Sequence, residues 1–259
     1  MLRALYSASA GMQSQQTNLD VIANNLANVN TTGFKKAKAE FQDLLYQTSR
    51  MAGADQGSGN QLPTSVQIGH GSRLVSTSKI FTTGELTQTG ERLDVAIHGD
   101  GFFEVQMPDG SRAYTRDGAL KTDNTGRVTT SDGMPLQGAF QVPPGTINIS
   151  IAPNGEVTAQ SATGKQTFKM QLVRFANPAG LDAVGHNLFK ETSVSGVAEV
   201  GSAAENGYGE LQQGYLELSN VKVVEEMVNM ILAQRAYEVN SKAVQSADEM
   251  MQMSNNLRR

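Results

Sequence analysis

Near the carboxy-terminal end of this chain Leu216, Val223, Met230, Tyr237, Val244 and Met251 fall seven residues apart, and at the other end Leu5, Met12, Leu19 and Leu26 do the same. Seven residues make close to two helical turns, so each series is a stripe along one side of a helix. The first stripe has companions at Ala8, Gln15, Ile22 and Val29, which makes it heptad-like with one polar break. Helices over residues 1–30 and 220–256 would extend roughly 45 and 55 Å at about 1.5 Å per residue. Gly33 is placed to stop the first. Ser219 or Asn220 is placed to cap the second, and Glu225 and Glu226 sit in its early turns, where the helix dipole favours acids. Glu238 and Lys242 are spaced as an i,i+4 pair. Two such helices, each with a narrow apolar stripe, bury those stripes against each other as an antiparallel, coiled-coil-like pair.

Between them the period changes. "LDVAIHGDGFFEVQMPDGSRAYTRDG" alternates at Phe103, Val105 and Met107 and turns at Asp109-Gly110. Turn signals recur at Asp117-Gly118, Asn124-Thr125-Gly126, Asp132-Gly133 and Asn154-Gly155, the pattern of hairpins in a mostly antiparallel β domain. The expected fold class is therefore α+β. Residues 1–33 and 218–259 form a terminal helical domain, and 76–194 a β-rich domain. Residues 34–75 and 195–217 connect the two, with a polar, Gly- and Ser-bearing excursion at 47–63 whose composition reads as an exposed loop.

The stretch "VIANNLANVNTTGFKK", residues 21–36, poses a second question. From Ala4 to Phe34 the one charged side chain is Asp20, and the polar face is built from serines, glutamines and asparagines. A helix facing water normally carries charge on its outer side. Neutral amides can leave water at moderate cost when hydrogen-bonded, whereas lone charges cannot. This face is therefore expected to be buried against other copies or partner chains; a soluble helix that happens to be charge-poor is the alternative. Leu19, Asn24, Asn25, Asn28 and Phe34 are the contact candidates from this end, and Met230, Arg235, Tyr237, Asn240 and Lys242 from the other. Each has a plainer reading: the asparagines as caps or turn formers, Arg235 as an i,i+3 partner of Glu238, and Met230 and Tyr237 as packing within the stripe.

Composition removes several functions. A net charge of −4 leaves no basic excess for nucleic acid. The absence of cysteine removes disulfides and thiolate sites. His70, His98 and His186 are scattered without ligand spacing, so no metal or other cofactor is expected. "GHGS" at 69–72 lacks the spacing of a nucleophile elbow, and no phosphate loop is complete. Glu91, Asp94, Asp100, Glu104 and Asp109 could supply two carboxylates for a cell-wall glycoside hydrolase, but turn-forming, solvated acids are the commoner reading. The start, "MLRALYSASAGM", lacks the apolar stretch of about 7–15 residues of a secretory leader, so no cleavable leader is expected.

Three long segments then carry a resemblance. "LDVIANNLANVNTTGFKK" resembles the amino-terminal signature of bacterial flagellar rod and hook proteins. "GYLELSNVKVVEEMVNMILAQRAYEVNSKAVQSADEMMQ" resembles their carboxy-terminal signature, and "DVAIHGDGFFEVQMPDGSRAYTRDGAL" is similar to a β-domain motif of the same axial-protein family. "FQDLLYQT" and "LPTSVQIGHGSR" are most similar to the distal rod members, with proximal rod and hook-type proteins as alternatives. The resemblance implies a subunit exported unfolded through the flagellar type III apparatus and polymerised into a hollow periplasm-spanning shaft of the basal body. The carboxy-terminal helix would line its channel, with the amino-terminal helix outside it and the β domain in an outer layer. Segment 47–63 would be a stiffening extension. Implied partners are further copies of the chain, proximal rod proteins, the hook protein, and the surrounding periplasmic and outer-membrane rings.

Overall fold

The computed structural model describes residues 2–52, 63–138, 140–161 and 164–256, which fall into two compact units. One comprises 1–26, 37–78 and 223–259; the other comprises 27–36 and 79–222.

The first unit contains both long helices. α1 runs Leu2–Ala27 and α2 runs Val223–Asn256. Both are shorter than their sequence signals. After Ala27 the Asn28 side chain accepts a bond from the Thr31 hydroxyl, and the Thr31 amide turns back to the Asn28 carbonyl at 3.2 Å. Such side-chain competition ends the helix well before Gly33, which instead takes a left-handed φ of 67° at the end of the turn. At the other end Leu218 donates its amide to Glu85, and the Asn220 side chain is bonded to residues 36, 80 and 82. Residues 218–222 are thereby held outside the helix, and Asn220 is a tie rather than a cap. Alongside the helices, the strand Ala37–Asp43 pairs with Ser72–Lys79, and Tyr46–Arg50 pairs antiparallel with Val66–Gly69. Residues 47–50, all exposed, are thus part of a strand where composition suggested a loop; the heart of the 47–63 excursion, residues 53–62, lies outside the described residues.

In the second unit four antiparallel strands form its largest sheet, in the order Asp182–Gly185, Leu188–Lys190, Arg112–Thr115, Phe103–Gln106. Successive strand residues point to opposite faces, and away from the exposed edge strand Asp182–Gly185 the sheet carries buried residues on both faces. Phe103, Val105 and Ala113 join a cluster with Val95, Ile97, Val157, Met170, Leu172 and Leu211. Tyr114 and Phe189, with Phe102 just before the strand, join Val173, Phe175 and Leu181 in another. There Tyr114 and Phe175 meet edge to face at 4.8 Å, the offset that aromatic quadrupoles favour. A three-stranded meander (Thr146–Ile151, Glu156–Ser161, Gly164–Lys169) and four two-stranded pairs complete the unit among the described residues. The turns at Asp109-Gly110, Asn124-Thr125-Gly126 and Asn154-Gly155 close hairpins as expected, each on a glycine with φ near 80°. Asp117-Gly118 does not. Gly118 pairs with Val95, and a Cβ there would lie 1.8 Å from the Val95 carbonyl oxygen, so this glycine permits a close backbone approach rather than a turn.

Candidate assembly surface

A helix packed on one side of a unit needs one apolar stripe; α2 has two. Glu226, Met230, Ala233, Asn240, Val244, Ala247 and Met251, at three- and four-residue steps save for the gap that Tyr237 fills, are buried or half-buried. Tyr237 continues that series at 40% exposure. On the opposite side Val224, Met227, Val228, Ile231, Leu232 and Val239 form a second series, with Val224 76%, Ile231 55% and Leu232 62% exposed. Arg235 and Lys242 follow in the same arc, exposed, with Arg235 bonded to Glu238 at 2.9 Å. The outer side of α2 is therefore apolar in its first half and mainly polar in its second. The sequence signal for it was the density of Val, Ile, Leu and Met between 223 and 232, which one heptad stripe does not exhaust.

The asparagines of α1 have separate fates. Asn25 is buried, and both ends of its amide are spent on one residue of its own chain: its Nδ2 donates to the Ala37 carbonyl at 2.8 Å and its Oδ1 accepts the Ala37 amide at 2.9 Å. This side chain imitates a neighbouring strand and starts the strand at Ala37, with both ends of its amide bonded inside the chain. Asn28 is the turn former described above. Asn24 is exposed, and Leu19 is half-buried. Ser14, also buried, donates to the Ser72 carbonyl at 3.3 Å. Phe34, the remaining candidate from this end, is buried in the second unit with the Lys79 ammonium 4.6 Å from its ring centroid. Asn240 of α2 lies against Gly11 of α1, where a Cβ would meet its Nδ2 at 2.9 Å. Of the ten candidates, then, Asn24, Arg235, Tyr237 and Lys242 are exposed on the single chain; Asn25 and Phe34 are interior to it.

The fate of Asn25 gives a direct expectation. Asn25→Asp removes the donor to Ala37 and sets a carboxylate against its carbonyl. A buried partner left unsatisfied costs about 1–3 kcal/mol. Urea unfolding of the variant should show that loss, with faster amide exchange at Lys38 and Ala39 along the strand. An unchanged midpoint would mean the two bonds contribute nothing.

Three of the five acids considered for glycoside cleavage are occupied locally. Asp109 accepts from the Ser111 amide and hydroxyl at 2.9 and 2.6 Å, which holds its carboxyl below the usual carboxylate range. Asp94 accepts the Thr89 hydroxyl at 2.6 Å, and Glu104 pairs with Arg112 at 3.3 Å.

What the sequence reading missed entirely is a buried ionic cluster in the second unit. Lys35, Arg116 and Glu217 are each no more than 2% exposed. Glu217 Oε1 accepts the Lys35 ammonium at 2.6 Å and the Gly84 amide at 2.8 Å, while its Oε2 accepts Arg116 Nε at 3.0 Å. Lys35 also donates to the Thr82 carbonyl at 2.7 Å, and Arg116 Nη2 to those of Ile97 and Gly99 at 3.2 and 2.7 Å. Burial, then the Arg116 charge, pulls the Lys35 ammonium down to about 8.

Comparison with known proteins decides the family. Residues 5–35 match the flagella basal body rod protein family, 96–159 the flagellar hook protein FlgE/F/G D1 domain, and 212–257 the flagellar basal body rod FlgEFG protein carboxy-terminal family. The flagellar basal-body rod protein FlgG of Borreliella burgdorferi is 47% identical over the full length of both chains. This chain belongs to the flagellar basal-body rod protein family. Among other rod-protein relatives, FlgG of Caulobacter vibrioides is 44% identical over 99% of this chain and all of its own, and FlgG of Bacillus subtilis is 42% identical over the whole of both. The first and third matched segments hold most of α1 and all of α2 of this rod protein, and the middle one holds two of the four strands of the largest sheet, the first strand of the meander and part of the second.

Proposed function

We propose that the chain is a structural subunit of the distal flagellar rod and not an enzyme. It polymerises helically into a hollow shaft that carries torque from motor to hook and passes exported subunits through its channel. Family membership supports the setting, and the second apolar side of α2 carries the mechanism. On that side Val224, Met227, Val228, Ile231, Leu232 and Val239 are exposed on the single chain, and contact between copies is what removes such a face from water. In this reading α1 and α2 pair as an antiparallel, coiled-coil-like layer forming the inner tube, and the contact of Gly11 with Asn240 supports that pairing. The exposed Arg235 and Lys242 on the outer side of α2, with its mainly polar second half, suit a watery channel. The β-rich second unit belongs to the outer layer of the shaft in this reading. The shaft stands between proximal rod proteins and the hook protein, inside the periplasmic and outer-membrane rings. Its subunits arrive through the type III export apparatus.

Electron microscopy of the purified chain at rising concentration tests this. Straight hollow tubes are expected above a threshold concentration. A chain that stays monomeric at every concentration and salt condition would overturn the reading.

A further inference from the structure

The buried ionic cluster holds together parts of the chain that the rod reading leaves unexplained. The chain passes between its two units at 26/27, 36/37, 78/79 and 222/223. Within the second unit, the segments next to these points are bonded to one another. The Gly33 amide donates to the Glu217 carbonyl at 2.8 Å, and the Ile80 amide to that of Lys36 at 2.9 Å. Asn220 accepts the Lys36 amide at 2.8 Å and donates to the Ile80 carbonyl at 2.8 Å. Lys79 donates to the Lys35 carbonyl at 3.3 Å. The Glu217 carboxylate is the centre, because it alone joins the segment after α1 through Lys35, the segment at 82–84 through Gly84, and the sheet through Arg116.

A buried arrangement of two cations and one carboxylate is a poor way to gain stability, since apolar side chains of similar volume in such places are neutral or better. Its geometry is what apolar packing would not reproduce: each oxygen takes directional bonds from a different part of the chain. We propose that Glu217, with Lys35, Arg116 and Asn220, is a positioning junction that fixes the lead-out of α1 and the lead-in of α2 at one point of the second unit in the free chain, and that assembly depends on this fixing. The proposal rests on the rod reading for what is assembled, and on the single chain for the fixing itself.

The test is a triple substitution, Lys35→Met/Arg116→Met/Glu217→Leu, in the full chain. It removes every charge and keeps the volume. The urea midpoint is expected to stay level or rise. Amide exchange at Gly33, Lys36 and Gly84 should quicken by about tenfold or more while amides of the central sheet hold. The concentration needed for tubes should rise by about fivefold or more, a penalty that a merely stabilising role would not produce at an unchanged midpoint. Unchanged exchange at the three amides overturns the proposal, and so does faster exchange with an unchanged tube threshold. If the triple variant does not fold, Asn220→Ala decides: it leaves the charges alone, and the same criteria apply to exchange at Lys36 and to the threshold. Wild-type chain that never forms tubes would sink the rod reading instead, and the exchange comparison would then decide the junction by itself.

Discussion

Glu217→Gln lowers the unfolding free energy of the free chain by about 3–5 kcal/mol, the usual cost of removing one partner from a buried ion pair. The amide keeps the shape and can still accept the Gly84 N–H, so the loss is one of charge. Lys35 and Arg116 remain, both buried, with carbonyls of Thr82, Ile97 and Gly99 as their main acceptors. Lys35→Met should be far milder, because it removes the surplus cation and leaves Glu217 paired with Arg116. Chemical denaturation of the two variants side by side checks this asymmetry; equal losses would show that the cluster behaves as ordinary packing. The sign of a pH effect follows too. With Lys35 at about 8 in the folded chain against 10.5 ordinarily, the unfolded chain holds more protons across that interval. The contribution of this group is therefore smallest below pH 8, grows as pH rises, and is complete above 10.5. In Lys35→Met that alkaline rise is absent.

Leu232→Asp raises the tube threshold by roughly 100-fold and leaves the free chain as stable as before. Leu232 is 62% exposed, so the folded monomer loses little, within about 0.5 kcal/mol for an exposed site. In a subunit contact the same side chain stands to bury most of its surface, worth about 1.5–3 kcal/mol, and the carboxylate adds its own cost of leaving water. A combined loss near 3 kcal/mol is about two powers of ten in association. Ile231→Asp should act alike. Sedimentation of the variants beside wild type gives the threshold, and urea unfolding gives the stability. Tubes forming at the wild-type threshold would remove the outer side of α2 from the assembly surface.

Much of the architecture was written in local pattern. Period seven marked both helices, and Asp109-Gly110 and Asn154-Gly155 marked hairpins, because helix stripes and left-handed turn residues need no knowledge of distant parts. The misreadings share one cause, which is a partner far along the chain. Gly118 looks like a turn until Val95 is seen against it. Asn220 looks like a cap until residues 36, 80 and 82 claim it. The asparagine-rich face was read as a surface for neighbours, yet Asn25 answers to Ala37, twelve residues on. The exposed apolar side of α2 was in plain view as composition, but a heptad search assigns each helix one stripe and stops there. Lys35 and Glu217, 182 positions apart, left no local trace at all.

One unit of this protein is made from the two ends of the chain and the other chiefly from its middle. Closing a loop across nearly the whole sequence is entropically unfavourable for an open coil, and a formed middle shortens the effective loop to a few residues. The expected order is that the β body matures first and the long helices find their places after it. Cutting the chain after the body should leave a folded core trailing an unfinished amino-terminal arm. A protein arranged in this way is expected to complete itself last at its two ends.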